Sequence, residues 1–560
     1  MVMEGPWRFI FLPFVLQAKS FAAMVRSALL AAIVCGAEAA LPCDPVHLPT
    51  RGPGPAGAVC RCNATYCDTI EPLGAVSGAS AVFYQTSLGS DTDRLTRHET
   101  TFSPSAGSEW QRIEVNATQR YQSIIGFGGA LTDAAALNYA ALSPAVQKHV
   151  MDGYYSDSGL AYSVGRIPIA SCDFSLGVYS YDDLTPAQGL EDLPLAHFSI
   201  AMDLPTKLPL IHDALAAAAA RPAGNNAIKL FGSPWSPPTW MTTKNSSLNA
   251  KLRGVAGDKL HKSYAQYFCK FVAAYAAQGV DIWGVTVANE PAGNTGKWQD
   301  LKLSAEEERD FIKSDLGPAL RVCAPGLKLI MLDDQRSHLE AWTDTVLGDP
   351  VAASFVDGIG VHWYAALEDK LDNFGKLAAA HAKFPAPFIL GTEACEGFLP
   401  WSQGVYPGDW PRAETYAHDI LGDLNHFAGG WTDWNILLDM KGGPNWAGNV
   451  VDAPMIADTE SRNAVYRQPM YYYLGHITKF VVPGSVRIGF ASTGVPVLSS
   501  PMECATFLTP DNKVVVVVLN RDISSHEFDI HFAGKGYINA KIPARAMQTY
   551  IFDAAASDRP

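Results

Sequence analysis

No apolar run in this 560-residue chain reaches the roughly 18–20 residues that a membrane-spanning helix needs. The early stretches Phe9–Leu16 and Ser27–Cys35 stop well short of that, and later runs such as Val514–Leu519 have the length of a strand. Charge is scarce and leans to acid: charged residues make up 18%, and 42 Lys+Arg stand against 56 Asp+Glu for a formal net charge of −14. With no long Lys/Arg run to meet a phosphate backbone, nucleic acid is excluded as a partner. H-E-x-x-H is absent, and His362 has no second His or Cys at ligand spacing, so neither a metal nor another cofactor is expected. G-x-S-x-G is absent too, which leaves a serine esterase without its motif. There are no internal repeats, no low-complexity tract beyond Ala214–Ala220, no KDEL-like C-terminus and no lipid-anchor tail.

What is present is ordinary globular stock, 48% hydrophobic and 11% aromatic, which excludes disorder as the main state. The first 40 residues differ from the rest. Arg26 precedes the short apolar run Ser27–Cys35, which leads into Ala37-Glu38-Ala39; this is the grammar of a secretory signal, with cleavage expected after Ala39 and Met1 or Met24 as the start. Cys43, Cys60, Cys62 and Cys67 cluster directly afterwards. In an oxidising compartment they read as two disulfides with three possible connectivities, and Cys60-x-Cys62 is too tight for a usual zinc pair. Cys172, Cys269, Cys323, Cys395 and Cys504 are dispersed and read as buried thiols. Asn63, Asn116 and Asn245 each begin an N-glycosylation triplet.

Along the chain, eight short apolar runs each give way to a helical pattern: Ile124–Phe127, Ala161–Pro168, Ala227–Ser233, Ile282–Ala288, Leu327–Leu332, Gly358–Trp363, Pro387–Gly391 and Gly430–Trp434. Leu260, Tyr264, Phe268, Phe271, Val272 and Tyr275 follow helical spacing up to a stop at Gly279. Eightfold strand–helix alternation predicts an α/β fold, a (β/α)8 barrel over residues 122–481 with an insertion near 436–466. Short strands without helices (Ala81–Thr86, Trp110–Val115, then Val486–Phe490, Cys504–Leu508, Val514–Leu519, Phe528–Phe532 and Thr549–Phe552) predict an attached β-sandwich built from 76–121 with 482–560. Residues 40–75 form the disulfide-rich segment and 1–39 the signal peptide.

Catalytic groups of such a barrel sit where its strands end. The fourth run ends in Asn289-Glu290-Pro291 and the seventh leads into Thr392-Glu393-Ala394, so two carboxyls meet at one rim. A facing pair of this kind is the machinery of glycosidic hydrolysis. One carboxyl protonates the leaving oxygen, and the other attacks the anomeric carbon or activates water. Two carboxyls in one low-dielectric cleft repel, so one proton is retained to unusually high pH.

Long motifs carry a resemblance to a known family: Cys62–Asp68, Gly126–Leu137, Ala170–Ser175, Ser233–Trp240, Met331–Arg336, His362-Trp363-Tyr364, Gly430–Asn435 and Gly442–Trp446. From about Cys60 onward the chain resembles the retaining enzymes of glycoside hydrolase family 30. The resemblance implies Glu290 as acid/base and Glu393 as nucleophile. It implies sugar contacts from Asp173, Trp235, Asn289, Trp434 and Tyr364, with Asn449 and Trp298 at the mouth and Arg166 orienting the carboxylates. It also implies the pairings Cys43–Cys60 and Cys62–Cys67. For Asp133 and Asp433 a structural role as strand-end caps is the competing expectation, and for Trp240 and Trp431 a place in the core.

The implied activity is hydrolysis of glucosylceramide, in a secreted or, by preference, lysosomal setting. The alternatives are another hydrolase of the same family (a β-xylosidase or β-1,6-glucanase) and a catalytically silent carbohydrate binder. The implied partners are an anionic membrane surface and a saposin-like activator. Near pH 5 the 14 His would charge and draw the acidic chain toward anionic lipid, with Trp298 as the contact.

Overall fold

The computed structural model describes residues 40–108, 111–293, 296–364, 373–493 and 502–554. The signal segment 1–39, Trp110 of the second expected strand and Asn294-Thr295 of the loop after Glu290 lie outside the described residues. Eight parallel strands close into a barrel: Gly126–Ala130, Val164–Ile169, Lys229–Pro234, Ile282–Thr286, Lys328–Gln335, Gly358–His362, Phe388–Glu393 and Ala428–Asn435. Six are buried at all or all but one of their residues, as strands with both faces covered must be; the fourth opens at Ile282 and Trp283 and the fifth at its two ends, Lys328 and Gln335. The first strand reads Gly-Phe-Gly-Gly-Ala because its neighbours come so close. A Cβ on Gly128 would stand 1.7 Å from the Val164 carbonyl oxygen, and one on Gly430 would stand 2.0 Å from that of Gly126.

The helix foreseen from periodicity spans Lys259–Ala276. The Asp258 carboxylate caps it, accepting from Leu260 and His261 N–H, and Gly279 follows at φ +76°. The alanine tract belongs to helix Lys207–Ala219.

Nine strands make the second large sheet, three from residues 80–123 and six from 486–553. The sheet doubles over into two layers, so that Phe532 and Phe528 near one edge meet Phe552 and Tyr550 five strands along it. Its fully buried run Val514–Leu519 is the strand the sequence marked most plainly. Strand Gly536–Ile542 had no counterpart in the sequence reading. A third, five-stranded sheet joins the disulfide-rich segment (Pro45–Val46, Val59–Asn63) to strands Leu437–Asp439, Met455–Asp458 and Ala464–Arg467 that follow the last barrel strand.

Cys43 pairs with Cys60 and Cys62 with Cys67. The reading of Cys269 and Cys323 as buried thiols is wrong: they form a disulfide. It ties helix Lys259–Ala276 to the end of helix Gly317–Cys323, the two helices that flank the fourth barrel strand. Their separation of 54 residues hides the pairing from any local pattern. Cys172 and Cys395 are free and buried, and Cys504 is half-buried. Asn116 and Asn245 are exposed, while Asn63 is half-buried with its side-chain oxygen accepting from Thr65 N–H and O–H.

Candidate active site

At the C-terminal mouth of the barrel a cavity of about 170 Å³ is lined by Asp173, Trp235, Asn289, Glu290, Trp298, Tyr364, Glu393, Trp434 and Asn449. These are all the catalytic and sugar-binding candidates from the sequence. Cys395, Phe398 and Val451 complete the lining. Arg166 lies behind the wall, fully buried, and its guanidinium is the hub of the floor. Its two terminal nitrogens donate to Glu393 Oε2, to Asn289 Oδ1 at 2.7 Å and to Asp333 Oδ2 at 2.9 Å, while Nε donates to Ser233 Oγ at 3.2 Å. Trp235 and Trp434 stack at 5.2 Å, with the same guanidinium 5.0 and 5.4 Å from their rings.

Glu393 ends its strand and receives a donor on each oxygen: Arg166 on Oε2, and the Tyr364 hydroxyl on Oε1 at 2.9 Å. Glu290 lies beyond the end of its strand with φ +47°, a left-handed backbone that Glu rarely adopts and that marks functional sites. Its Oε1 receives Gln335 Nε2 at 2.9 Å and faces His362 Nδ1 at 3.3 Å, and the other ring nitrogen of His362 lies 3.0 Å from Asp333 Oδ1. One oxygen of each catalytic carboxyl and one nitrogen of His362 lie within 4.8 Å of one another. Retaining pairs stand about 5–5.5 Å apart and inverting pairs roughly 6.5–9.5 Å apart.

The charges explain one another. Burial disfavours an ionised Asp333, but Arg166 and His362 outweigh it and hold the carboxyl far below its ordinary range. Burial likewise disfavours a charged His362, yet Glu393, Asp333 and Glu290 raise it to about 10. Burial pushes the Glu393 carboxyl up, Arg166 and His362 pull it down, and Glu290 pushes it up again, which leaves it above its ordinary value. Asp173 is pushed up to about 7 by burial despite amide donors from Asn449 and Asn445.

Asp333, Gln335 and His362 belong to this site although the sequence reading gave them no role. The first two lie in the quoted Met331–Arg336 motif and the third in His362-Trp363-Tyr364. Asp133, Asp433, Trp240 and Trp431 are structural. Asp133 accepts from Ser175 and Tyr179, Asp433 from Tyr416 at 2.6 Å, Trp240 donates to Asp182 and Trp431 to Asp419. Trp298 is half-buried in the cavity wall. Trp401, 68% accessible, is an exposed aromatic in the loop Gly397–Gly404, whose ends meet through a Gly404 N–H to Gly397 carbonyl bond of 3.0 Å.

A closed barrel with two carboxyls at this separation over an arginine-held floor defines a glycoside hydrolase. Residues 124–481 match the Glycosyl hydrolase family 30 TIM-barrel domain and residues 484–550 the family's beta sandwich domain, and the chain belongs to glycoside hydrolase family 30. It is 40% identical over 536 residues to the lysosomal acid glucosylceramidase of Mus musculus, covering 93% of this chain and 97% of that one. It is 42% identical over 473 residues to putative glucosylceramidase 4 of Caenorhabditis elegans, covering 83% and 87%. The crystal structure of SrfJ from Salmonella typhimurium superposes with a TM-score of 0.75 at 27% identity, covering 85% of this chain and all of that one.

Proposed function

We propose that this enzyme is a retaining β-glucosidase that hydrolyses glucosylceramide to glucose and ceramide. The observation that carries the reading is the asymmetric pair of carboxyls. Both oxygens of Glu393 are engaged by donors, which suits a carboxylate, whereas among the described residues only Oε1 of Glu290 receives donors. Glu290 Oε2 is thus free to carry a proton.

In the first step a Glu393 oxygen bonds to the anomeric carbon, the bond to the ceramide oxygen breaks, and that oxygen takes the proton from Glu290. Glu393 then carries no charge, so Glu290 remains as a carboxylate beside the cationic His362. In the second step Glu290 removes a proton from water, the water oxygen bonds to the anomeric carbon, and Glu393 leaves as a carboxylate. Asp173 and Asn449 offer polar groups to the outer hydroxyls, and the Trp235–Trp434 pair offers an apolar wall. The glucosylceramidase names of the 40% and 42% identical relatives support the choice of lipid substrate.

Glucosylceramide lies in a bilayer, and no helix among the described residues is long and apolar enough to cross one. A peripheral approach to anionic lipid, aided by a saposin-like activator in the lysosome, fits that substrate. Charging of His residues contributes less to it than their number suggests, because burial holds His476 neutral down to about 3. A panel of aryl β-glucoside, aryl β-xyloside, β-1,6-glucan and glucosylceramide tests the substrate, and proton NMR of the first-formed sugar tests the mechanism. Glucosylceramide turnover with β-glucose released first is expected. Preference for the xyloside or glucan, α-glucose first, or no turnover at all would each defeat the reading.

A further inference from the structure

The fifth barrel strand does not end regularly. Leu332 and Asp333 take left-handed φ values of +69° and +56°, and the register with the sixth strand slips between Leu332 and Asp334. This bulge directs the Asp334 and Gln335 side chains toward the Asn-Glu-Pro turn and sets Asp333 into the barrel floor. Asp333 faces Arg166 and His362. The Asp334 carboxylate accepts Ala292 N–H at 2.9 Å, and Gln335 Nε2 meets Glu290 Oε1 at 2.9 Å. The Asp333 carbonyl also accepts Glu290 N–H at 3.0 Å. Two hydrogen bonds from one bulge therefore hold Glu290, whose own backbone is left-handed, and a third holds its turn at Ala292. A regular strand would alternate its side chains between two faces and could not supply them.

The protonation pattern follows from which atoms can donate. Asp333 is held as a carboxylate by Arg166, so His362 Nε2 must carry the hydrogen that faces it. With the imidazolium favoured by its acidic surroundings, Nδ1 also carries a hydrogen, aimed at Glu290 Oε1. Gln335 aims a second N–H at the same oxygen. The other ionisable groups facing Glu290 are Glu393, Tyr364, Asp173 and Asp334. None of them donates to it.

Building on the acid/base reading above, we propose that the Asp333–Gln335 bulge is a positioning device for Glu290. Gln335 and His362 keep Oε1 an acceptor and so place the transferable proton on Oε2, the oxygen left for the leaving group. Gln335 acts through Glu290 and is a positioning residue rather than a catalytic one. Without its N–H the proton can reside on either oxygen and the carboxyl is held at one point fewer.

The test is a leaving-group series of β-glucosides on Gln335→Met, with Gln335→Asn as a second variant that keeps an amide but withdraws it by one methylene. Values of kcat/KM isolate the first step. For an alkyl glucoside, whose leaving oxygen needs a proton, a fall of about 10-fold or more is expected, and for dinitrophenyl glucoside, which needs none, a fall of less than about 3-fold. Equal losses on both substrates, or none on either, would overturn the proposal. Glu290→Ala with added azide separates the two readings. Rescue as β-glucosyl azide upholds the acid/base role whatever the Gln335 variants do, and its absence removes that role independently of them.

Discussion

The mouth of the barrel and the interior of the sandwich both bury large side chains, but they are filled by opposite means. The mouth buries Arg166, Asp333, His362, Glu393 and Asp173, each linked to another by hydrogen bonds or charge. The sandwich buries Val514–Leu519 against Phe507, Phe528 and Phe552, with no ionised group among them. Charge placed in a low dielectric is costly even when paired, whereas apolar packing is not. The mouth therefore spends stability on function, and the sandwich supplies the apolar burial that offsets it. The two regions should respond to substitution in opposite currencies, rate in one and stability in the other.

The largest expected effect is on rate. Glu393→Gln should lower turnover by about 10³-fold or more, because the covalent step is lost. Its thermal midpoint should stay at or above that of the parent, since a raised, buried carboxyl is replaced by a neutral amide. A 2-fluoro-glucoside should label Glu393 in a peptide map. Label on Glu396, which does not line the cavity, would overturn the assignment. The mirror experiment is Phe507→Ala in the sandwich. Removing this fully buried ring should cost about 3–5 kcal/mol of stability, read by denaturant unfolding, while kcat/KM of the folded fraction is unchanged. A specific kinetic loss there would erase the contrast between the two regions.

The same contrast governs what could be read from the sequence. The eight barrel strands and the valine strand were legible because burial imposes its own pattern on apolar residues. Glu290 and Glu393 were legible because strand ends are where such barrels keep their chemistry. Asp333, Gln335 and His362 were not, although their motifs were noticed, because their roles depend on a bulge with two left-handed residues that leaves no periodic trace. Cys269–Cys323 and the sheet shared by Val59–Asn63 and Ala464–Arg467 depend on contacts distant in sequence. Trp298 lies half-buried in the cavity wall, and the exposed Trp401 carries no motif that would mark it, because aromatic content shows neither exposure nor direction.

A smaller effect concerns pH. Burial raises Glu308, Asp334, Glu396 and Glu414 to about 7 and Asp423 to about 8. Each binds a proton in the fold at a pH where the unfolded chain, with carboxyls near about 4, does not. The stability they contribute is full below about pH 4 and declines as pH rises toward about 7 to 8. His476, held neutral to about 3, works in the opposite sense between about pH 3 and 6.5, but the raised acids outnumber it. The thermal midpoint should therefore be higher at about pH 5 than at about pH 7.5. A midpoint that is flat or rises toward neutral pH would show that these buried acids do not set the stability of the fold.

The smallest effect separates the two tryptophans of the rim. Trp298 is packed into the cavity wall, so Trp298→Ala should reduce activity equally on a soluble aryl glucoside and on glucosylceramide in anionic liposomes. Trp401 stands in solvent on an apolar loop with Phe398, Leu399 and Pro400. Phe398 faces the cavity and packs against Tyr364 at 4.8 Å, so the loop leads from the open surface to the nucleophile. An aromatic ring in that setting suits the interface of a bilayer, where an amphipathic side chain lies at headgroup level. Trp401→Ala should then leave the soluble substrate untouched and lower liposome turnover a few-fold, with co-sedimentation weakened in step. If Trp401→Ala lowered both activities equally, or neither, the lipid would be presented by some other surface and the loop would only close the pocket.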